Sequence, residues 1–313
     1  MKSPKQERLD LTNPIFSDPH RALTYLEGVR WPNGRICPKC GEANHSSLVR
    51  SKNHRPDLYY CNGCCKTFTV TVGTIFQGSK VPLNKWLLVF HLMSASKKGV
   101  SALQVQRMIN VAYNTAWSMC HRVREAMAPT ERELKKKLGG SDAEVEVDET
   151  YWGNKKKKPK GARGWAHKMK IISIVERGEG GQKRSFHVQD TKASTVMPLL
   201  KAHVDTQSRM MTDESGIYNN MGREFRSHET VNHSAWEYAR GDVTTNTVEA
   251  SFALVKRAFR GIFHKLSEKH LHRYLKELDY KWNTRGLTDT ARMLDALRRT
   301  VGCRLSIWRL KNS

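Results

Sequence analysis

Apolar and polar residues alternate strictly in one stretch of this chain, and such alternation predicts a half-buried β-strand. The polar face of this strand would carry Glu144, Glu146 and Asp148. The apolar face would carry Val145 and Val147. Successive side chains of a strand point to opposite faces, so three acids share one surface while the valines enter a core.

The rest of the pattern in the second half of the chain predicts further strands and helices. Apolar residues three and four apart predict helices, whereas short runs rich in β-branched residues predict strands. Asp213 would end one strand, and Gly261 would end the helix that carries Glu249. The predicted strands are Lys170–Val175, Arg184–Val188, Arg209–Asp213 and Glu229–Val231, and the predicted helices are Thr195–Val204 and Asn246–Arg260.

Earlier in the chain, the pattern predicts three consecutive helices. Pro82 suits the first turn of a helix that Gly99 would end, and Ser101 would cap the next one. After a short turn at 110–113 the third helix gives the layout of a helix-turn-helix, whose last helix enters the DNA major groove by its N-terminal end. An ordinary three-helix connector has the same pattern, so both interpretations stay open. The exposed candidates for base contact are Asn114, Thr115, Ser118, His121 and Arg122.

Four of the seven cysteines form two Cys-x2-Cys knuckles, at Cys37, Cys40, Cys61 and Cys64. Two knuckles at this spacing can place four thiolates around one zinc ion, whereas a pair of redox dithiols would need a βαβ context. Cys65 could replace Cys64 by a slip of one residue, but Cys64 keeps the two knuckles alike. With short strands predicted at Ser47–Arg50 and Asp57–Tyr60, this segment is predicted to be a zinc ribbon that needs its metal to fold.

The composition adds a strong positive charge to this picture. Lys and Arg number 54 against 30 Asp and Glu, which gives a formal net charge of +24. Nucleic acid is the expected partner, because phosphate contacts by basic side chains release condensed counterions. A ribosome-associated or merely soluble basic protein is the alternative. A DNA clamp or a solubilising loop is predicted directly after the acidic strand, at Lys155, Lys156, Lys157 and Lys158.

The sequence lacks the apolar segments that membrane insertion requires. No run approaches the roughly 18 apolar residues of a membrane span, and His91 breaks the best one, Trp86–Met93. The N-terminus also lacks the apolar core of a signal peptide. We therefore expect a cytoplasmic protein without a membrane partner, associated with the nucleoid when it binds DNA.

Acids on separate predicted elements indicate metal-dependent phosphodiester chemistry. Asp148 lies on the first strand, Asp213 ends the fourth, and Glu249 lies on a later helix. In ribonuclease-H-like nucleases, carboxylates in this order converge at one edge of a sheet and hold two Mg²⁺ ions for phosphoryl transfer. A structural alternative is that Asn246 caps the helix and Glu249 is its reciprocal partner. Lys256 shares their helix face and would point at substrate phosphate, unless it is only a solvated charge.

Several motifs occur together along most of the chain. They are Cys37-Pro38-Lys39-Cys40-Gly41, Val147-Asp148-Glu149-Thr150-Tyr151, Thr212-Asp213-Glu214, Val231-Asn232-His233-Ser234, Asn246-Thr247-Val248-Glu249 and Leu254-Val255-Lys256-Arg257. Over roughly residues 16 to 285 the chain resembles the ISXO2-like insertion-sequence transposases. This resemblance implies a zinc ribbon followed by a ribonuclease-H-like catalytic domain of the DDE/N-K type.

The resemblance also assigns expected roles by position. Asp148 and Asp213 would be metal ligands. The third ligand would be Asn246 or Glu249, with Glu249 favoured because carboxylate binds Mg²⁺ better than an amide does. Lys256 would be the lysine of the family.

Together these features predict an α+β multidomain enzyme. The expected units are an N-terminal helical lead-in (1–30), a zinc ribbon (31–78), a helix-turn-helix-like DNA-binding region (80–138), a ribonuclease-H-like catalytic domain (141–290) and a basic C-terminal tail (291–313). The expected function is that of an insertion-sequence transposase, which binds terminal inverted repeats, cleaves DNA with Mg²⁺ or Mn²⁺ and joins 3′-OH ends to target DNA. The active form would be a homodimer or larger. The alternatives are a non-catalytic zinc-ribbon DNA-binding regulator and a metal-dependent nuclease without strand transfer.

Overall fold

The computed structural model describes residues 8–50, 57–155, 164–219, 224–303, 305 and 310. The chain divides into two compact units. The first unit consists of Met1–Met127 and Leu287–Ser313, and the second unit is Ala128–Gly286.

Helices and strands are mixed along the described residues. The helices, in chain order, are α1 (Pro19–Arg30), α2 (Leu83–Ala95), α3 (Ala102–Ile109), α4 (Tyr113–Ala126), α5 (Glu131–Lys135), α6 (Ala193–His203), α7 (Asn246–Ala258), α8 (Leu271–Asn283) and α9 (Asp289–Arg298). The strands, in chain order, are β1 (Ser46–Leu48), β2 (Tyr59–Cys61), β3 (Lys66–Phe68), β4 (Glu144–Trp152), β5 (Met169–Glu176), β6 (Lys183–Val188), β7 (Arg209–Asp213), β8 (Ser227–Val231), β9 (Ala239–Arg240) and β10 (Val243–Thr244). The predicted α+β class is confirmed.

The first unit joins a small antiparallel sheet to a group of helices. Strand β2 lies between β1 and β3 and pairs with both. Helix α3 begins after Ser101, whose hydroxyl accepts the backbone N–H of Gln104 at 3.1 Å, as its capping role predicts. Asn110 follows α3 with a left-handed backbone and turns the chain toward α4. The ribbon and the three-helix region, predicted as separate domains, therefore belong to one compact unit.

Helix α9 corrects the prediction of a basic C-terminal tail. Part of the range 291–313 is helical and packs on α2. Arg292 donates from its guanidinium to the backbone carbonyl of Ser94 at 2.9 Å. Met293, Ala296 and Leu297 are buried, and their spacing of three and four residues gives α9 one apolar face.

A five-stranded sheet organises the second unit, in the order β6-β5-β4-β7-β8. Strands β4, β5 and β6 pair antiparallel, whereas β7 runs parallel to β4 and β8 runs parallel to β7. Helix α6 makes the connection from β6 to β7. The described order and directions are those that the ribonuclease-H-like prediction requires.

Apolar side chains cover both faces of this sheet. On one face Val145 and Val147 join Val196 and Leu200 of α6 in a buried cluster. On the other face Ile171 and other residues of β5 pack against α7 and α8. The apolar residues of α8 are therefore core residues, because Leu271, Leu275 and Leu278 all lie in the second cluster.

Two predicted boundaries in the second unit differ from the structure. Gly261 does not end a helix, because α7 continues into a π-helix at Phe259–Phe263 that includes it. The boundary expected near residue 140 lies at 127/128 instead. The reason is local pairing, since Leu138 forms a β-bridge with Val204 and belongs to the core of the second unit.

Candidate active site and zinc site

Sheet pairing brings the first two acids together. In the parallel pair of β4 and β7, Glu146 stands opposite Met211. Two residues further along each strand stand Asp148 and Asp213, so both carboxylates fall at the same edge of the sheet. The backbone N–H of Glu149 donates to the Asp148 carboxylate at 2.6 Å, and that of Ser215 donates to Asp213 at 3.1 Å. Each acid is therefore partly held by its own chain.

A buried carboxylate docks helix α7 onto the same strand. Glu146 is fully buried and accepts the backbone N–H of Val248 in the first turn of α7 at 2.8 Å. The guanidinium of Arg177 lies 3.1 Å from the same carboxylate and balances its charge. Favourable dipole alignment adds to this contact, because a helix N-terminus attracts negative charge. The contact fixes the start of α7 beside β4, two residues from Asp148.

The carboxylates at this edge repel one another in a partly buried place. Burial is the largest cause that raises the pKa of Asp148 to about 8, and repulsion from Asp213 and Glu149 adds to it. Repulsion from Glu249 acts in the same direction. Burial is also the main cause that raises the pKa of Asp213. Excess negative charge of this kind is relieved by a bound cation.

The donor chemistry of this cluster suits a hard divalent cation. Carboxylate oxygens are preferred by Mg²⁺ and Mn²⁺. In the described ranges, the cysteines alone form a set of three or more His, Cys, Asp or Glu ligand atoms lying within 4.8 Å of one another. The acids are more widely spread, so their fit rests on donor type and charge rather than on a closed coordination shell.

The start of α7 differs from the predicted capping arrangement. Thr245 occupies the N-cap position and Asn246 is the first helical residue, so the predicted Asn246 cap is wrong by one residue. The hydroxyl of Thr245 donates to the Glu249 carboxylate at 2.8 Å instead. Asn246 and Glu249 are both exposed, and Lys256 is half-buried on the same helix face.

A turn after β8 adds a histidine that is not among the predicted site residues. The Nε2 atom of His233 lies 3.5 Å from the Glu249 carboxylate and 3.3 Å from the Thr245 hydroxyl. Protonated, His233 also lowers the pKa of Asp213, against the larger effect of burial. His233 therefore borders two of the three acids. The signal in the sequence was the motif Val231-Asn232-His233-Ser234, which carried the resemblance without a role.

Four cysteines of the first unit form a closed ligand set. The Sγ atoms of Cys37 and Cys64 are 3.8 Å apart, and those of Cys40 and Cys61 are 3.6 Å apart. Tetrahedral zinc with Zn–S bonds of about 2.3 Å places its sulfurs about 3.8 Å apart, so the set fits Zn²⁺. Cys65 is exposed and lies outside the set, which agrees with the choice of Cys64.

Comparison with known proteins matches a family domain to the segment with the cysteines and another to the segment with the acids. Residues 18–67 match the transposase zinc-ribbon domain, and residues 137–283 match the ISXO2-like transposase domain. The chain thus carries the two domains of an ISXO2-like transposase. A relative from Halobacterium salinarum, described as an uncharacterized protein in transposable element ISH50, is 28% identical over 261 residues. The matched region covers 77% of this chain and 83% of the relative.

Helix α4 offers fewer exposed side chains than its sequence predicted. Asn114 is exposed and Thr115 is half-buried. Ser118 and His121 are buried, so the prediction that they are exposed candidates for base contact is wrong. The reason is that, after the first turn of α4, packing buries polar side chains as well as those of its apolar face. Arg122 donates to the backbone carbonyl of Ile75 at 2.9 Å and thus also serves the fold.

The lysine run after β4 falls only partly within the structure of this transposase. The ammonium group of Lys155 donates to the carbonyl of Gln189 at 3.0 Å. Lys156, Lys157 and Lys158 lie outside the described residues. No helix in the described ranges is both long and apolar enough to cross a membrane.

Proposed function

We propose that this protein is the catalytic transposase of an insertion sequence. It cleaves phosphodiester bonds at the ends of the element with two divalent cations, Mg²⁺ or Mn²⁺, and joins the 3′-OH ends to target DNA. The observation that carries this proposal is the position of Asp148 and Asp213 on adjacent parallel strands, with Glu249 in the first turn of the helix that Glu146 docks onto β4.

The proposed roles follow from where each side chain lies. Asp148, Asp213 and Glu249 hold the cations. Bound there, the cations supply charge neutralisation for the reacting phosphate and for the attacking and leaving oxygens. Lys256 shares the helix face of Glu249 and contacts substrate phosphate, while Asn246 lines the same face.

DNA binding is distributed over both units in this proposal. The start of α4, with exposed Asn114 and half-buried Thr115, contacts base edges of the terminal inverted repeats. The net charge of +24 supplies the phosphate contacts that hold repeat and target DNA. Lys155 contributes to these contacts beside β4. The active complex is a homodimer or larger, because two ends must be held together, and it works in the cytoplasm at the nucleoid.

Cleavage and joining of the element's terminal repeats with Mg²⁺ test this proposal. Asp148→Asn is expected to lower the cleavage rate by at least about 100-fold, since removing the negative charge of this ligand weakens the binding of both cations. Asp142→Asn is the matched control, because the Asp142 side chain is fully exposed and its removal takes away the same charge. Cleavage without joining would identify a nuclease that lacks strand transfer. Repeat binding without any cleavage would identify a DNA-binding regulator.

A further inference from the structure

One aromatic side chain near the acids is placed where the fold gains little from it. The Trp236 side chain is 82% exposed, more than any other exposed large hydrophobic residue among the described ones. Its backbone is also left-handed, with a φ of 61°, a conformation that glycine or asparagine adopts far more readily than a bulky residue. Tryptophan therefore brings neither burial nor a favourable backbone to this position, and such outliers point to a function.

The turn that presents Trp236 is held firmly. The Glu214 carboxylate accepts the backbone N–H groups of His233 at 2.9 Å and Ser234 at 3.0 Å, and the Ser234 hydroxyl at 2.7 Å. The Asn232 side chain accepts the backbone N–H of Ala235 at 3.0 Å. These hydrogen bonds fix the backbone position from which the Trp236 side chain projects. The entropy cost of binding a ligand to the indole is therefore lower.

This turn is tied to the acidic cluster at two points. Glu214, its main anchor, directly follows Asp213 at the end of β7. His233, three residues before Trp236, lies 3.5 Å from the Glu249 carboxylate. The indole is thus carried on a short segment that borders the acids.

The surroundings of Trp236 favour a base over an apolar partner. Within the turn, Tyr238 is the other large exposed ring, at 55% exposure, and it lies 5.3 Å from the His233 ring. Glu237 and Arg240 form an ion pair beside them at 3.8 Å. A protein-binding patch has an apolar centre with few charges, whereas a nucleic-acid platform combines isolated rings with polar neighbours.

We propose that Trp236 is a stacking platform for an unpaired nucleobase of DNA bound at the acids. The proposal rests on the proposed function in one respect, that DNA reaches these acids. An aromatic ring accepts any base on its face, so this contact selects unstacked strands rather than a sequence. Its role is to hold a distorted DNA end next to the scissile phosphate.

Two substitutions at the same position separate stacking from folding. Trp236→Asn removes the ring and suits the left-handed backbone, so this variant is expected to fold at least as stably as the original. Trp236→Phe keeps an aromatic face. The probes are a fluorescent blunt duplex and the same duplex with a single-stranded dA overhang, with Mg²⁺ omitted so that neither is cut.

The original protein is expected to bind the overhang duplex more tightly than the blunt one. Trp236→Asn should weaken overhang binding by roughly 5- to 150-fold, the range of base–aromatic stacking, and leave blunt binding unchanged. Trp236→Phe should restore most of the difference. The proposal would be overturned if the original protein and Trp236→Asn each bound the overhang duplex and the blunt duplex equally tightly. Equal losses on both probes would also overturn it, as would a change in oligomeric state, which would mean that a second copy covers the ring.

Crosslinking gives a positional measurement that does not depend on affinity. An overhang with 5-iododeoxyuridine is expected to crosslink, on irradiation, to the peptide that contains Trp236. Crosslinks confined to other peptides would overturn the proposal. If the original protein cuts DNA while both tests fail, the stacking site alone is wrong. If it never cuts DNA while both tests succeed, the proposed catalytic function alone is wrong.

Discussion

The cysteine set and the acidic cluster, the proposed cation site, are built in opposite ways. The cysteines come from two short knuckles, and their sulfurs already lie within 4.8 Å of one another. The acids come from β4, β7 and α7, which meet through sheet pairing, through the contact of Glu146 with α7 and through the apolar packing of α7 on the sheet. A locally built site depends on its metal to fold, whereas an assembled site depends on its scaffold and can stay folded without metal.

Removing zinc should have the largest effect on stability, concentrated in the ribbon of the first unit. Cys37→Ser is expected to lose zinc and the order of β1 to β3, since zinc binding contributes on the order of 10 kcal/mol to small zinc domains. The measurements are the zinc content and the amide hydrogen exchange of each unit. Cys65→Ser is the control and should keep its zinc. A Cys37→Ser protein that still binds one full equivalent of zinc would contradict the assigned ligand set.

Breaking the scaffold of the acidic cluster should come next. Glu146→Ala leaves the buried N–H of Val248 without its acceptor, while Arg177 keeps its ion pair with Glu144, so the free energy of unfolding should fall by about 3 kcal/mol. Cleavage should fall with it, because the start of α7 is no longer held beside β4. Denaturant unfolding of Glu146→Ala and of the exposed control Glu179→Ala measures the difference. If the two variants unfold alike, the docking role of Glu146 is wrong.

The smallest expected effect distinguishes the two candidates for the third ligand. Glu249→Gln should slow cleavage by about 100-fold, or about 2.7 kcal/mol, because an amide oxygen carries no charge for the cation. Asn246→Ala should have a much weaker effect, since Asn246 brings no charge to the acids. Single-turnover cleavage rates at saturating Mg²⁺ decide between them. A fully active Glu249→Gln variant would move the third ligand to Asn246.

Local signals made much of the second unit predictable. Strict alternation placed β4, and the bounds of β7 match the predicted Arg209–Asp213. The order of the acids then implied one shared edge of a sheet. The zinc ligands were equally readable, because knuckle spacing is a property of the sequence alone.

Features that depend on tertiary contacts could not be predicted. Alternation placed Glu146 on the acidic face but could not show that it accepts from Val248 rather than joining the cluster. Gly261 is a common helix end, yet a π-helix includes it. The burial of Ser118 and His121 depends on packing around α4, which the pattern of one helix does not contain.

The central claim is that acids from three separate elements form one cation site. Iron-mediated cleavage of the protein tests it most directly, because Fe²⁺ bound in place of Mg²⁺ produces radicals that cut the backbone near the metal. With Fe²⁺ and a reductant, we expect cuts close to Asp148, Asp213 and Glu249 together, competed by Mg²⁺ and lost in Asp148→Asn. Cuts near one of these residues alone, or an unchanged pattern in Asp148→Asn, would contradict a shared site.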